Sequence, residues 1–232
     1  MTNTLANIGD SLQNQRVLVT QSEDFMGPAL VKAFQYYGAE VIADPNALTS
    51  PEAVDKLMAA AGRVDILIAN LAITNPRNAF DRVTEREWRE VFAHLVDPLP
   101  RLAHAVLPGM IARGSGKVVV MGSASALRGM KNTSTYSAAR GAQVAYVRAL
   151  GAEVAAHNIQ INLIAQNFVE NNTYFPPEVQ ATEAFKQRLQ QKVPVQRLAT
   201  PEEDAQFAVF LACSEVNFFV GQSFPFAGGW VC

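Results

Sequence analysis

Cysteine is scarce in this chain of 232 residues: Cys213 and Cys232 are the only two, too few for a disulfide framework or a thiolate metal cluster. Histidine is equally thin, with His94, His104 and His157 scattered and in no ligand spacing. Neither sign of charge dominates. Lys+Arg 19 against Asp+Glu 21 leaves a formal net charge of -2 and no basic block, so there is no electrostatic footprint for nucleic acid or an anionic membrane. Long hydrophobic runs are missing too. None reaches the length of a bilayer span, and the stretch from Met1 to Gln15 is too polar for the apolar heart of a signal peptide. A cytoplasmic protein with no nucleic-acid and no membrane partner is expected.

What is present is apolar and periodic. Hydrophobic residues make up 49% and charged residues 17%, which excludes a disordered or fibrous chain and favours one compact domain over residues 1–232. Short apolar runs alternate with helical patterns, the signature of an α/β fold: a Rossmann-like, doubly wound parallel sheet with helices on both faces. Strands are expected at Arg16–Thr20, Ala39–Ala43, Asp65–Ala69, Lys117–Met121, Ile159–Ile164 and Ser223–Phe226. Helices are expected at Met26–Tyr37, at Pro51–Ala61 behind the N-cap Ser50, and at Thr135–Ala156. Another is expected from Thr200 and Pro201 to Cys213. Thr84 and Glu87 read as a capping box opening one long helix in which Trp88, Val91, Phe92, Leu95, Leu99 and Leu102 recur, with Pro98 and Pro100 bending its middle. Residues Ala165–Val193, with Pro176 and Pro177, read as an excursion covering a site.

The chemistry concentrates in GSASALRGMKNTSTYSAARG. Ser123 follows the fourth strand, and Tyr136 and Arg140 lie four apart on the next helix, which puts phenol and guanidinium on one face. A guanidinium that never loses its charge favours the phenolate, so Tyr136 can serve as a general base. Ser123, at a strand end where ligand crevices of such sheets lie, can hydrogen-bond the oxygen that gives up its proton. The plainer alternative is a surface tyrosine beside a helix cation and an unrelated serine.

This constellation resembles the short-chain dehydrogenase/reductase superfamily, whose pattern is Ser followed by Tyr-x3-Lys. The resemblance covers nearly the whole chain, with Asp65–Ile73 and Gln222–Gly229 matching further superfamily stretches. The departures are specific. Arg140 stands for the lysine that also holds the nicotinamide ribose. The first turn, T-G-x3-G-x-G in the superfamily, reads Thr20 to Gly27 with Gln21 and Phe25 at two of the three glycines and Glu23 and Asp24 between them. Glycine lets backbone N–H groups approach the pyrophosphate there. Gly27 survives, as expected if it packs helix closely on strand. N-N-A-G has become Ala69-Asn70-Leu71-Ala72, and His94 replaces a proton-relay asparagine. Asp44, ending the second strand, stands where an acid would bind the adenosine ribose.

T-x4-F-x-G together with S-x12-Y-x3-R is similar to the halohydrin dehalogenases, which share the reductase scaffold but bind a halide where the nicotinamide would be. The resemblance implies a cofactor-independent lyase: Tyr136 takes the proton of a vicinal haloalcohol, the alkoxide displaces halide, and an epoxide remains. Ser123 would hold the substrate oxygen and Arg140 would tune Tyr136. The reverse reaction would open epoxides with halide, azide, cyanide or nitrite. By the same resemblance the halide would sit against Phe25, Gln166, Asn167, Phe168 and Val169, and the substrate against Ser125, Tyr174 and Phe175. Gln166 stands where some relatives have proline. Ala138, Ala139, Gly141, Ala142, Ala145, Ala149 and Gly151 make the long helix dense in small residues, and relatives pair subunits through it, which implies a homotetramer.

Two rival readings remain open at this point. A nicotinamide-dependent short-chain oxidoreductase is motivated by the scaffold and Asp44, and a non-catalytic binding protein by the altered cofactor turn. A Ser-His-Asp hydrolase is disfavoured because Ser123 lacks the G-x-S-x-G elbow.

Overall fold

A computed structural model describes residues 12–213, 215 and 217–231, so Cys232 and most of the stretch from Met1 to Gln15 lie outside the described residues. Six strands pair in parallel in the order β2-β1-β3-β4-β5-β6. They are β1 (Arg16–Val19), β2 (Glu40–Ala43), β3 (Ile66–Asn70), β4 (Gly116–Met121), β5 (Ile159–Gln166) and β6 (Ser223–Phe226). Central strands β3 and β4 are buried at every residue, which is why they read as continuous apolar runs rather than alternating ones. One face is covered by helices α2 (Pro51–Ala61), α4 (Pro98–Arg113) and α5 (Ser134–Val154). The other is covered by α1 (Gly27–Tyr36) and α8 (Pro201–Ala212).

The helix expected from Thr84 onward is two helices. Helix α3 (Glu85–Leu95) ends before Val96 and Asp97, and α4 restarts at Pro98. Proline has no N–H to donate four residues back, and its ring crowds that carbonyl. Pro98 and Pro100 therefore sit in the first turn of α4, where no such bond is needed. Trp88, expected on the apolar stripe, is 41% exposed and stacks on Phe92 at 4.5 Å. Half of the Thr84 capping box forms: Thr84 Oγ1 accepts the Glu87 N–H, but the Glu87 carboxylate accepts from Asn78 Nδ2 at 2.6 Å instead. A complete box forms at α8, where the Thr200 hydroxyl caps the Glu203 N–H and Glu203 returns to the Thr200 N–H.

Strand β5 runs two residues further than its apolar run, to Gln166, because β6 continues to pair with it there. The excursion after it carries α6 (Pro177–Gln180) and α7 (Glu183–Lys192). Phe168, Phe175, Phe185, Leu189 and Trp230 pack under it as a separate small core. Among the described residues no helix is long and apolar enough to cross a membrane.

Candidate active site

The carboxyl ends of β1, β3, β4 and β5 open into one cleft, where ligand crevices of open parallel sheets lie. Phe25 comes from the β1–α1 turn, Asn75 and Arg77 from the loop after β3, and Ser123 from the end of β4. Tyr136 and Arg140 come from α5, and Gln166 to Val169 with Tyr174 and Phe175 from the excursion. Ser123, Tyr136 and Arg140 thus line a single cavity, as their spacing predicts.

Arg140 is buried, and a cation so placed needs several partners. Its Nη1 donates to the Met121 carbonyl and to Gln143 Oε1, each at 3.0 Å, while Nε has no partner. Gln143 in turn donates to the Leu95 carbonyl at 2.6 Å. The guanidinium carbon stands 5.1 Å from the centre of the Tyr136 ring, within cation–π reach. No carboxylate pairs with Arg140 among the described residues, so its charge is felt by whatever enters the cleft.

A second tyrosine shares the cavity and differs in its surroundings. The Tyr174 oxygen accepts the Asn75 N–H at 2.8 Å, its ring lies 5.6 Å from Phe25, and the Arg77 guanidinium stands 5.8 Å from its centre. Burial, reinforced by the neighbouring Tyr136, holds the Tyr174 phenol above the ordinary tyrosine range. It therefore stays protonated near neutral pH and can donate. Tyr174 is a candidate donor, and Tyr136, whose ring faces the buried guanidinium, is the candidate base.

Ser125, expected on the substrate wall, lies behind it. Ser125 is buried, is absent from the cavity lining, and meets the Ser123 hydroxyl at 2.9 Å while its N–H donates to the same oxygen. It orients Ser123 instead, because the chain turns into a short 3-10 segment directly after the strand. At the expected halide residues after β5 the backbone donors are largely committed. Asn167 N–H donates to the Phe226 carbonyl, Phe168 N–H to Asn167 Oδ1 and Glu170 N–H to the Ala199 carbonyl. Phe168 nevertheless closes the cavity, and Gln166 presents an Oε1 that is buried and unpartnered. Phe175 lines the cavity and also belongs to the loop core, stacked on Phe168. His94 bonds back to the Glu90 carbonyl on its own helix and does not line the cleft.

The first turn keeps a glycine backbone without its glycines. Gln21 has φ 41° and Phe25 φ 47°, the left-handed region that side chains disfavour. A Cβ on Gly27 would lie 2.5 Å from the Gln21 carbonyl oxygen and from the Ser22 carbonyl, so this glycine is fixed by contact with the turn itself. Gln21 is buried and spends its amide inside the protein: Oε1 accepts the Ala72 N–H at 2.7 Å, and Nε2 donates to the Ala72 carbonyl and to Asp24 Oδ2. Asn70 Nδ2 bonds the Gln21 and Asp24 carbonyls. The N–H groups of Ser22, Asp24 and Gly27 are donated to the Asp44, Gln21 and Asp24 carbonyls. Asp44 lies just past β2 and bonds Asn46, with Oδ2 buried and unpartnered.

Asn75, Arg77, Asn171 and Met130 also line the cleft, and sequence reasoning passed over them. Arg77 carried a faint signal, a cation two residues after the buried Asn75 in the loop following a strand end.

A family profile described as Enoyl-(Acyl carrier protein) reductase matches residues 42–231. The chain belongs to the short-chain dehydrogenase/reductase superfamily. Among members of that superfamily, the 3-oxoacyl-(acyl-carrier-protein) reductase of Vibrio cholerae serotype O1 is 27% identical over 94% of this chain and 98% of its own. A solved structure described as a dehalogenation enzyme superposes with a TM-score of 0.87 at 27% identity, over 95% of this chain and all of that one. A halohydrin dehalogenase bound to ethyl (2S)-oxiran-2-ylacetate shares the fold, with a TM-score of 0.84 at 24% identity over 94% of this chain and 98% of that one. This chain is thus similar both to oxidoreductases and to dehalogenases of like architecture.

Proposed function

We propose that this protein is a halohydrin dehalogenase that converts vicinal haloalcohols to epoxides and halide without a nicotinamide cofactor, and runs the reverse opening with small anions. The observation that carries the reading is the pairing of Gln21 with Ala72. A dinucleotide would need the first turn's amides and a Cβ-free approach. Here Gln21 and Phe25 place side chains on that approach, and the Ser22, Asp24 and Gly27 amides are already spent. The donor set present does not fit a pyrophosphate, so no step is routed through that cofactor.

The remaining groups suit a displacement. Ser123 holds the substrate hydroxyl, Tyr136 takes its proton, and the oxygen attacks the neighbouring carbon. The C–O bond forms as the carbon–halogen bond breaks, and the electron pair leaves with the halide. Arg140 supplies an unpaired positive charge beside Tyr136 while the proton moves. The leaving halide meets apolar walls at Phe25 and Phe168 and a hydroxyl donor at Tyr174, since a buried anion needs at least one donor.

Purified protein without nicotinamide is expected to release bromide from a short vicinal bromohydrin and leave an epoxide. Absence of bromide, with NADH consumed on a ketone instead, would return the chain to the reductases. One observation favours that second reading: Asp44 Oδ2 is a buried acceptor with no partner, placed where an adenosine ribose would supply donors.

The homotetramer belongs to the same proposal. Ala139 and Gly151 are buried within the subunit, but Ala138, Ala145 and Ala149 lie exposed along α5, and a Cβ on Gly141 would meet nothing within 4 Å.

A further inference from the structure

The catalytic cleft does not end at Tyr174. Beyond Met130, Phe168 and Phe175 it joins a broad bay that, among the described residues, is lined by five cations, Arg77, Arg128, Lys131, Arg188 and Lys192, and by no carboxylate. The chain as a whole carries a slight excess of acid, so this concentration of one sign is a local arrangement. Several cations elsewhere do take carboxylates: Arg16 pairs with Glu40, Arg63 with Asp65, Arg89 with Glu85 and Arg197 with Glu203. None of the five bay cations takes a carboxylate among the described residues.

Helix α7 shows the contrast on one element. Lys186 bonds Glu183 at 2.7 Å, whereas Arg188 and Lys192, one turn apart, line the bay with no acid between them. Like charges at that spacing disfavour a helix by a few tenths of a kcal/mol, although Lys192 sits in the last turn, where the helix dipole favours a cation. Two of the cations are held in place. Arg128 donates to the Trp230 carbonyl at 2.6 Å and lies 4.8 Å over its ring, and Arg77 stands against Tyr174. A guanidinium stacked on a ring keeps N–H edges to offer an anion. Arg77 lines both compartments and links them.

We infer that the bay receives an anionic group, a carboxylate or a phosphate monoester, carried by the substrate away from its reacting carbons. The inference rests on the dehalogenase reading for the reaction, but its electrostatics do not. Converging cations in a concave site concentrate an anion and strengthen its encounter, and salt weakens both effects.

The test compares bromide release from 4-bromo-3-hydroxybutanoate and 3-bromo-2-hydroxypropyl phosphate with release from the neutral 4-bromo-3-hydroxybutanamide. Each is measured at low and high salt, with the wild type and with Arg188→Gln/Lys192→Gln, whose positions lie apart from the groups around Tyr136. At low salt the wild type is expected to prefer at least one anionic substrate by about tenfold in kcat/KM, carried by KM. High salt and the double variant should each erase the preference and leave the amide unchanged. The carboxylate and phosphate arms tell which anion the bay takes. Equal handling of anionic and neutral substrates, or equal slowing of all three by the variant, overturns the inference.

If no substrate releases bromide, the reaction reading fails and the bay is judged by binding alone. Trp88 and Trp230 are the only tryptophans, so fluorescence in a Trp88→Phe background reports on the bay. Saturable, salt-sensitive titration with 3-hydroxybutanoate or glycerol phosphate, lost in the double variant, sustains the anion site. A flat titration removes it.

Discussion

Gln21 and Ala72 are joined at two points, Oε1 to the Ala72 N–H at 2.7 Å and Nε2 to the Ala72 carbonyl at 3.1 Å, so that one side chain ties the β1–α1 turn to the loop after β3. Replacing Gln21 by alanine strands both Ala72 groups in a buried place and keeps the left-handed backbone without compensation. An unsatisfied buried group costs about 1–3 kcal/mol, so a stability loss of about 2 kcal/mol or more is expected in urea titration. A midpoint equal to wild type would mean that water replaces the amide freely.

Gly27 is expected to tolerate no side chain. A Cβ would lie 2.5 Å from backbone atoms of Gln21 and Ser22, and backbone cannot rotate away as a side chain can. Gly27→Ala should lose about 3 kcal/mol or fail to fold, whereas Gly129→Ala, where a Cβ would meet nothing within 4 Å, should change stability by less than about 0.5 kcal/mol. Similar thermal midpoints for the two variants would refute the contact argument.

The two tyrosines of the cleft should separate in kinetics. On the proposed mechanism Tyr136→Phe removes the proton acceptor and is expected to lower halide release by a factor of about 100–10,000 with the circular dichroism melt unchanged. Tyr174→Phe removes a donor and the partner of the Asn75 N–H, so a loss nearer tenfold is expected. Equal losses would show that neither residue has a distinct role.

Arg140 holds a carbonyl and a glutamine as well as a charge, and two variants divide those effects. Gln143→Met breaks the tether to Leu95 and one contact to Arg140 but keeps the cation. Arg140→Met removes the cation too. Both should lower the melting temperature, and only Arg140→Met should also reduce turnover by about 100-fold or more. Comparable turnover in the two would assign Arg140 a purely architectural part.

Asp204 sets a pH dependence of stability. It lies on α8, fully buried, with both carboxylate oxygens unpartnered, and burial pushes it up to about 7. Between the unfolded value near 4 and about 7 the folded chain holds a proton that the unfolded chain has released, so stability falls as pH rises through that window and is lowest above it. The span corresponds to about 4 kcal/mol. Asp204→Asn should flatten the slope in urea titrations from pH 5 to pH 8, and an unchanged slope would place its origin elsewhere.

The parallel sheet was legible because buried strands carry unbroken apolar runs such as Ile66–Ala69 and Val118–Met121, and Ser50 and Thr200 announce their helices by side-chain caps. Ser123, Tyr136 and Arg140 were legible because spacing on one helix and one strand end is local information. The break at Val96–Asp97 was misjudged because proline at a helix start and proline at a bend look alike in sequence. Ser125 was misplaced because a 3-10 turn rotates a side chain by an amount no periodicity records. The bay escaped notice entirely, since Arg77, Arg128 and Arg188 meet only after three distant segments fold together.

The left-handed backbone at Gln21 and Phe25 has a practical meaning for protein engineering. Substituting glycine at both positions would ask nothing new of the main chain, because its torsions are already those a glycine would choose. On the proposed function, the barrier to nucleotide binding then lies in the side chains and in turn amides already bonded to the Asp44, Gln21 and Asp24 carbonyls, and a small combinatorial library over Gln21, Glu23, Asp24, Phe25 and Ala72 probes the side-chain part.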